Sequence, residues 1–198
     1  MWIPRVRRWA VRVRHAVRLW WLRHRLGIRI GKGCWIHKSA IFDLNSGGSI
    51  SVGDGVEILP GAILSTYGGS IEVGDRVYLG PYCVLYGQGG LRVGEDTMIA
   101  AHCVIIPSNH GIEVCETSMR MQPLRKVGIE IGRDCWLGTG VKVLDGVTLG
   151  DGCVIGAGAV VTRSVPQKAI AMGVPARVTG MRPEGITASH VAVSLDTE

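Results

Sequence analysis

IGRDCWLGTGVKVLDGVTLGDGCVIGAGAVVT, residues 131–162, decides the fold of this chain. Cut into sixes, it opens every line on an aliphatic residue: Ile131, Leu137, Val143, Leu149, Ile155 and Val161. Glycine follows at 132, 138, 150 and 156. A helix needs apolar residues three and four apart, and a long strand needs strict alternation. A period of six fits neither and points to short strands and turns stacked as coils. The position two before each aliphatic is also small or medium and apolar: Cys135, Val141, Val147, Cys153 and Ala159. Two side chains in six therefore face a narrow interior. The glycine position allows a tight turn that a residue with a Cβ resists.

This pattern resembles the hexapeptide-repeat acyltransferases, and within them the galactoside/maltose and polysaccharide O-acetyltransferase branch. The residues carrying the likeness are IGRDCWLG at 131–138, IGAGAVVTRSVP at 155–166 and AMGVPARV at 171–178. The resemblance implies an all-β fold, a left-handed parallel β-helix of triangular section with three hexads to a coil. Hexads extend back through Ile30, Ile36 and Phe42, then Val52, Ile58 and Leu64, then Val73, Leu79 and Leu85, then Val93, Ile99 and Ile105. About six coils result. The expected organisation is a basic amphipathic helix over 1–27, the β-helix acyltransferase domain over 28–180 and a tail over 181–198. One long excursion loop, 107–128, interrupts the coils.

The totals agree with a thin solenoid. A chain of 198 residues suggests one domain. Its 29 glycines and single Phe suit a core of Val, Ile and Leu rather than a layered aromatic one. Five of the six cysteines (Cys34, Cys83, Cys103, Cys135 and Cys153, but not Cys115) lie two residues before a coil aliphatic, so they read as small interior fillers. With no CxxC pair and no secretory signal, a reducing, cytoplasmic compartment is expected. The net charge is +6, yet residues 1–29 hold nine Arg and no acid, which leaves −3 for the remainder.

Residues 2–26, WIPRVRRWAVRVRHAVRLWWLRHRL, carry that positive charge and four of the six Trp. At 100° per residue, Trp2, Val6, Trp9, Ala10, Val13, Ala16, Val17 and Trp20 share one side, and most of the Arg share the other. Val11, Leu19 and Leu22 blur the polar side. The longest apolar run, Leu19–Leu22, is far short of a membrane span. The expectation is a helix lying in an anionic membrane surface, on the cytoplasmic face. Packing against the first coil or a neighbouring subunit is the plainer alternative, and a nucleic-acid arm ranks below both. Gly27 is expected to end the helix.

Between the sets of three hexads, extra residues occur at SGGS 46–49, GGS 68–70 and GQGG 87–90, always after the third hexad. They should therefore leave from one corner and build a polar column. Its members are Asp43 and Asn45, Ser65 and Tyr67, Tyr86 and Gln88, then Ser108 to His110. Acyl transfer from a thioester needs a base for the acceptor proton, a donor for the oxyanion and a held pair of substrates. Histidine suits the first role. His110, heading the long loop, matches the position of the family's catalytic base. His102 lies in an outward slot with Tyr82 in the coil below, and the resemblance places acceptor contacts there. Asn109, His102, Tyr82, Tyr86 and Gln88 are the acceptor-side candidates. By the same resemblance, Trp136, Thr139, Gly156, Ala157, Thr162, Arg163 and Arg177 line a coenzyme A groove. Arg163 stands where the family commonly has Lys.

No His, Cys, Asp and Glu cluster has metal-ligand spacing, so no metal is expected. The glycines of IGAGAV lack the strand-then-helix context of a phosphate loop. The resemblance implies a homotrimer with active sites between subunits, acetyl-coenzyme A as co-substrate and a sugar or glycan hydroxyl as acceptor. Surface polysaccharide or glycolipid synthesis is the setting this suggests. Two rivals stay open: N-acylation of a nucleotide-linked amino sugar, and a non-catalytic or carbonic-anhydrase-like hexapeptide scaffold.

Overall fold

The aliphatic ladder of the hexads is the spine of the fold. In the computed structural model, which describes residues 16–24 and 26–183, short parallel strands build three faces of a solenoid. The first face runs from Arg29–Ile30 through Ser49–Val52, Ser70–Val73, Leu91–Val93 and Ile129–Ile131 to Thr148–Leu149. The second runs from Trp35–Ile36 through Glu57–Ile58, Tyr78–Leu79, Met98–Ile99 and Trp136–Leu137 to Val154–Ile155. The third runs from Ile41–Asp43 through Ile63–Ser65, Val84–Tyr86, Val104–Ile106 and Lys142–Leu144 to Val160–Val161. These make six coils of a left-handed β-helix, as the hexads predict.

Register follows the sequence pattern residue by residue. On the first face Ile30, Val52, Val73, Val93, Ile131 and Leu149 stand in one column. Ile36, Ile58, Leu79, Ile99, Leu137 and Ile155 form the second column. All but Ile30 are buried. Five cysteines fill the interior beside them, and only Cys115 is exposed. Each buried thiol lies against a carbonyl of the next coil, as Cys103 Sγ does with Gly138 O at 3.1 Å. The interior carries one threonine at such a slot. Thr97 Oγ1 donates to Gly132 O at 2.9 Å and accepts from the Cys135 N–H at 3.1 Å, joining the fourth and fifth coils.

Close stacking explains the glycines after the aliphatics. A Cβ on Gly94 would meet the carbonyl carbon of Gly132 at 2.5 Å, so a larger residue would push two coils apart. At the corner between first and second faces, ion pairs take over outside. Arg76 bonds Asp96 at 2.6 Å and Glu95 at 3.0 Å, and Arg133 bonds Asp151 at 3.0 Å.

The two ends are closed differently. After Val165, which pairs with Leu149, the hairpin Ala169–Gly173 and Ala176–Met181 joins the second face. At the other end, residues 16–24 are helical and Gly27 follows at φ 65°. Within this helix the inward side is that of Leu19 and Leu22, which blur the polar side in the sequence. Leu22 is buried and Leu19 packs on the core, while the side of Val17 and Trp20 faces out. Arg18 and Arg23 bond first-coil carbonyls. An open coil end offers an apolar ring rimmed by unpaired carbonyls, which two leucines and two guanidinium groups satisfy better than a tryptophan. The expected helix over residues 1–15 and most of the 181–198 tail lie outside the described residues.

Candidate active site

The extra residues all leave at the corner between third and first faces, and there the polar column assembles in pairs. Ser65 Oγ donates to Asp43 Oδ2 at 3.0 Å. Tyr67 and Tyr86 meet edge to face with ring centroids 4.8 Å apart. Their hydrogen bond, then burial, raises the Tyr86 phenol above its ordinary value. Ser108 Oγ donates to Gln88 Oε1.

The long loop departs from the same corner. Asn109–His110 pairs antiparallel with Leu124–Arg125, so His110 stands on a two-residue ladder and faces solvent. Gln122 fastens the loop from within: its side-chain amide donates to Val114 O at 2.9 Å and Thr117 O at 3.0 Å. The loop returns where the Asp145 carboxylate accepts the N–H groups of Val127 and Gly128 at 3.0 and 2.9 Å. Sequence reasoning missed Gln122 and Asp145. A buried amide and a loop-base carboxylate leave no periodic trace.

The corner between second and third faces is different. Tyr82 and His102 take left-handed φ values of 58° and 61° where Gly61, Gly140 and Gly158 stand in other coils. Their rings stack in parallel, 5.4 Å apart. In the upper coils the same corner presents Thr139 and Ala157, both exposed. The Gly158 N–H donates to Thr139 O at 2.8 Å. Trp136 lies on the second face before this corner's turn in sequence, 51% exposed, in register with Met98 and Val154. Gly156 makes room for the hairpin, since its Cβ would meet Met172 Cβ at 2.9 Å. Arg177 pairs with Met172 across that hairpin, and its guanidinium is exposed.

The sequence-derived site thus divides between two corners. Trp136, Thr139, Gly156, Ala157 and Arg177 keep company with Tyr82 and His102. Thr162 and Arg163 lie past Val160–Val161, at the corner that also bears Asn109, His110, Tyr86 and Gln88. Six extended residues separate His102 from Ser108, about 20 Å along the third face. Within one protomer the candidates therefore form two separate groups.

A concavity lies elsewhere, among Glu95, Asp96, Arg133, Asp134, Asp151 and Arg182. There the acids pair with Arg133, Arg182 and neighbouring Arg76, so it is part of the corner ion-pair ladder. Among the described residues, no group of three or more His, Cys, Asp or Glu could hold a metal ion.

Fold and repeat together define a class, the left-handed hexapeptide-repeat β-helices. Residues 128–163 match the family described as bacterial transferase hexapeptide (six repeats). A probable acetyltransferase of Mycobacterium tuberculosis is 33% identical over 154 residues, covering 76% of this chain and 43% of that protein. A putative lipopolysaccharide biosynthesis O-acetyl transferase of Escherichia coli is 32% identical over 93 residues, covering 43% of this chain and 47% of that one. The chain therefore spans less than half the length of these relatives. Among solved structures, a variant of the N-acyltransferase AntD of Bacillus cereus, bound to dTDP-4-amino-4,6-dideoxyglucose and coenzyme A, superposes with a TM-score of 0.70 at 21% identity. It covers 86% of this chain and 91% of that one. By fold and by repeat sequence the chain is similar to the hexapeptide-repeat acyltransferases.

Proposed function

We propose that this protein is a coenzyme A-dependent O-acetyltransferase that moves an acetyl group from acetyl-coenzyme A to a sugar hydroxyl. The observation that carries the reading is the exposed imidazole of His110, held on its short ladder beside a column of hydroxyl and amide groups. His110 takes the acceptor proton as the oxygen attacks the thioester carbonyl. The coenzyme thiolate leaves and is protonated. Asn109, Tyr82, Tyr86, Gln88 and His102 supply acceptor contacts, and no metal takes part. Trp136 and Ala157 offer apolar surface to the pantetheine arm, with Thr139, Gly156 and Thr162 along the groove and Arg163 and Arg177 near the phosphates.

The reading includes a homotrimer. The separation of the two corners supports a site in which one subunit's His110 faces the next subunit's coenzyme groove. It also includes attachment of the arginine-rich segment 1–26 to the cytoplasmic face of a membrane, with a glycan of surface polysaccharide or glycolipid synthesis as acceptor. Among the described residues, no helix is long and apolar enough to cross a membrane.

A second reading, N-acylation of a nucleotide-linked amino sugar, is favoured by the likeness to AntD. Thiol release from acetyl-coenzyme A against paired hydroxyl and amino sugar acceptors separates the two. His110→Ala is expected to lower turnover by ~10²–10⁴-fold, the usual contribution of a positioned base. Affinity for acetyl-coenzyme A should hardly change. A fully active His110→Ala enzyme beside an inert His102→Ala enzyme would move the base to the other corner.

A further inference from the structure

The helix at residues 16–24 has two apolar stripes, and only one of them is used. At 100° per residue, Leu19 and Leu22 centre on one side and Val17, Trp20, Trp21 and His24 on the opposite side. The first side closes the end of the solenoid. Leu22 is 1% exposed. Arg23 donates to Ile30 O at 3.0 Å and Gly31 O at 2.7 Å. Arg18 donates to Ala40 O, and burial lowers its pKa. Anchored at both edges, the helix cannot roll to hide the second stripe.

That second stripe lies bare. Val17, Trp20 and Trp21 are 60%, 56% and 46% exposed, and Trp20 stacks on His24 at 4.9 Å. Because its opposite side lies on the first coil, the stripe faces away from the coils. The sequence ahead of it adds Arg5, Arg7, Arg8, Arg12 and Arg14, and no acid occurs before Asp43. A second copy meeting this stripe symmetrically would set arginine against arginine. An anionic lipid surface has the complementary charge, and tryptophan favours the interface between headgroups and acyl chains.

We propose that Val17, Trp20 and Trp21 form the lipid-inserting face of this protein, so that it docks end-on, first coil toward the bilayer. This rests on the membrane attachment proposed above and assigns it to particular side chains. The rest of the chain, with a net charge of −3, is repelled by the same anionic surface, which favours contact at this end alone.

The test is flotation of the full chain on phosphatidylglycerol and phosphatidylcholine vesicles at low and high salt. Wild type is compared with the combined variant Val17→Ser, Trp20→Ser, Trp21→Ser, while thermal midpoint and oligomer size are followed. The expected result is flotation on the anionic vesicles alone, reduced about tenfold or more in the variant at unchanged midpoint and size. If wild type stays unbound, the attachment itself is refuted. If wild type and variant float equally, attachment stands and this face is not its agent. If the variant changes oligomer size, the stripe is a contact between copies and the proposal falls.

Discussion

At the scale of single residues, Thr97 is the clearest structural dependency. Its hydroxyl is the partner of a buried Cys135 N–H and links two coils. Thr97→Val keeps the shape and removes the bond, leaving a buried donor unpaired, which costs about 1–3 kcal/mol. Urea unfolding should show that loss with an unchanged denaturant slope. Trp136 is the corresponding test of the coenzyme groove. Covering a half-exposed indole contributes roughly 1.5 kcal/mol, so Trp136→Ala should weaken coenzyme A binding about tenfold. Arg177→Ala should weaken it through a lost phosphate partner. If calorimetry finds both variants binding as wild type does, the groove lies elsewhere.

Among the elements, the corner between first and second faces should respond to acid. Arg76 holds the Asp96 carboxyl below the ordinary carboxylate range, and the Arg133 N–H and guanidinium do the same for Asp151. A depressed folded pKa stabilises the fold above the unfolded value, about 4, and that gain fades as pH falls through the folded values. Asp96→Asn and Asp151→Asn should therefore lower the thermal midpoint slightly at pH 7. The difference from wild type should vanish toward pH 2. A difference that persists in acid would show that the bonds matter and the charges do not. The coils themselves were legible in the sequence because the interior admits mostly small and aliphatic side chains, so aliphatics recur at the slot of Ile131, with Phe42 of the first coil the exception. The helix was legible in kind, but what its other side packs against was not. Its inward side is dictated by the open end of the first coil, through Arg18 and Arg23, which periodicity alone cannot reveal. The loop was legible only as an excess of length. Its antiparallel ladder and its Gln122 pin depend on contacts within 107–128 that follow no period.

For the whole molecule, the proposed reaction needs groups from two corners about 20 Å apart. Sequence placed the candidate residues correctly on their hexads. Three hexads to a coil already sort them by corner, whereas the contacts within each corner, such as Tyr82 on His102, needed the folded chain. If neighbouring copies bring the corners together, His110→Ala and Trp136→Ala subunits should complement each other. Co-expressed, they would form some interfaces with both residues intact and recover part of the lost turnover. Two inert variants that stay inert when mixed would put the whole site within one subunit.

The uniform rise of the coils makes the solenoid a measuring rod with the helix as its foot. Each coil adds about 4.8 Å, and the helix about 10 Å. His110 leaves from the fourth coil, so in end-on docking it stands off the bilayer by roughly 25 Å. A monosaccharide held at the lipid headgroups would lie below its reach, and a longer tethered chain would meet it. Cys115, the one exposed thiol among the described residues, sits on the same loop. A dye attached there should report that height by energy transfer to a labelled membrane. Inserting one further coil below the loop should lift the dye by a single increment and, if the proposed acceptor is right, lengthen the shortest glycan that is acetylated.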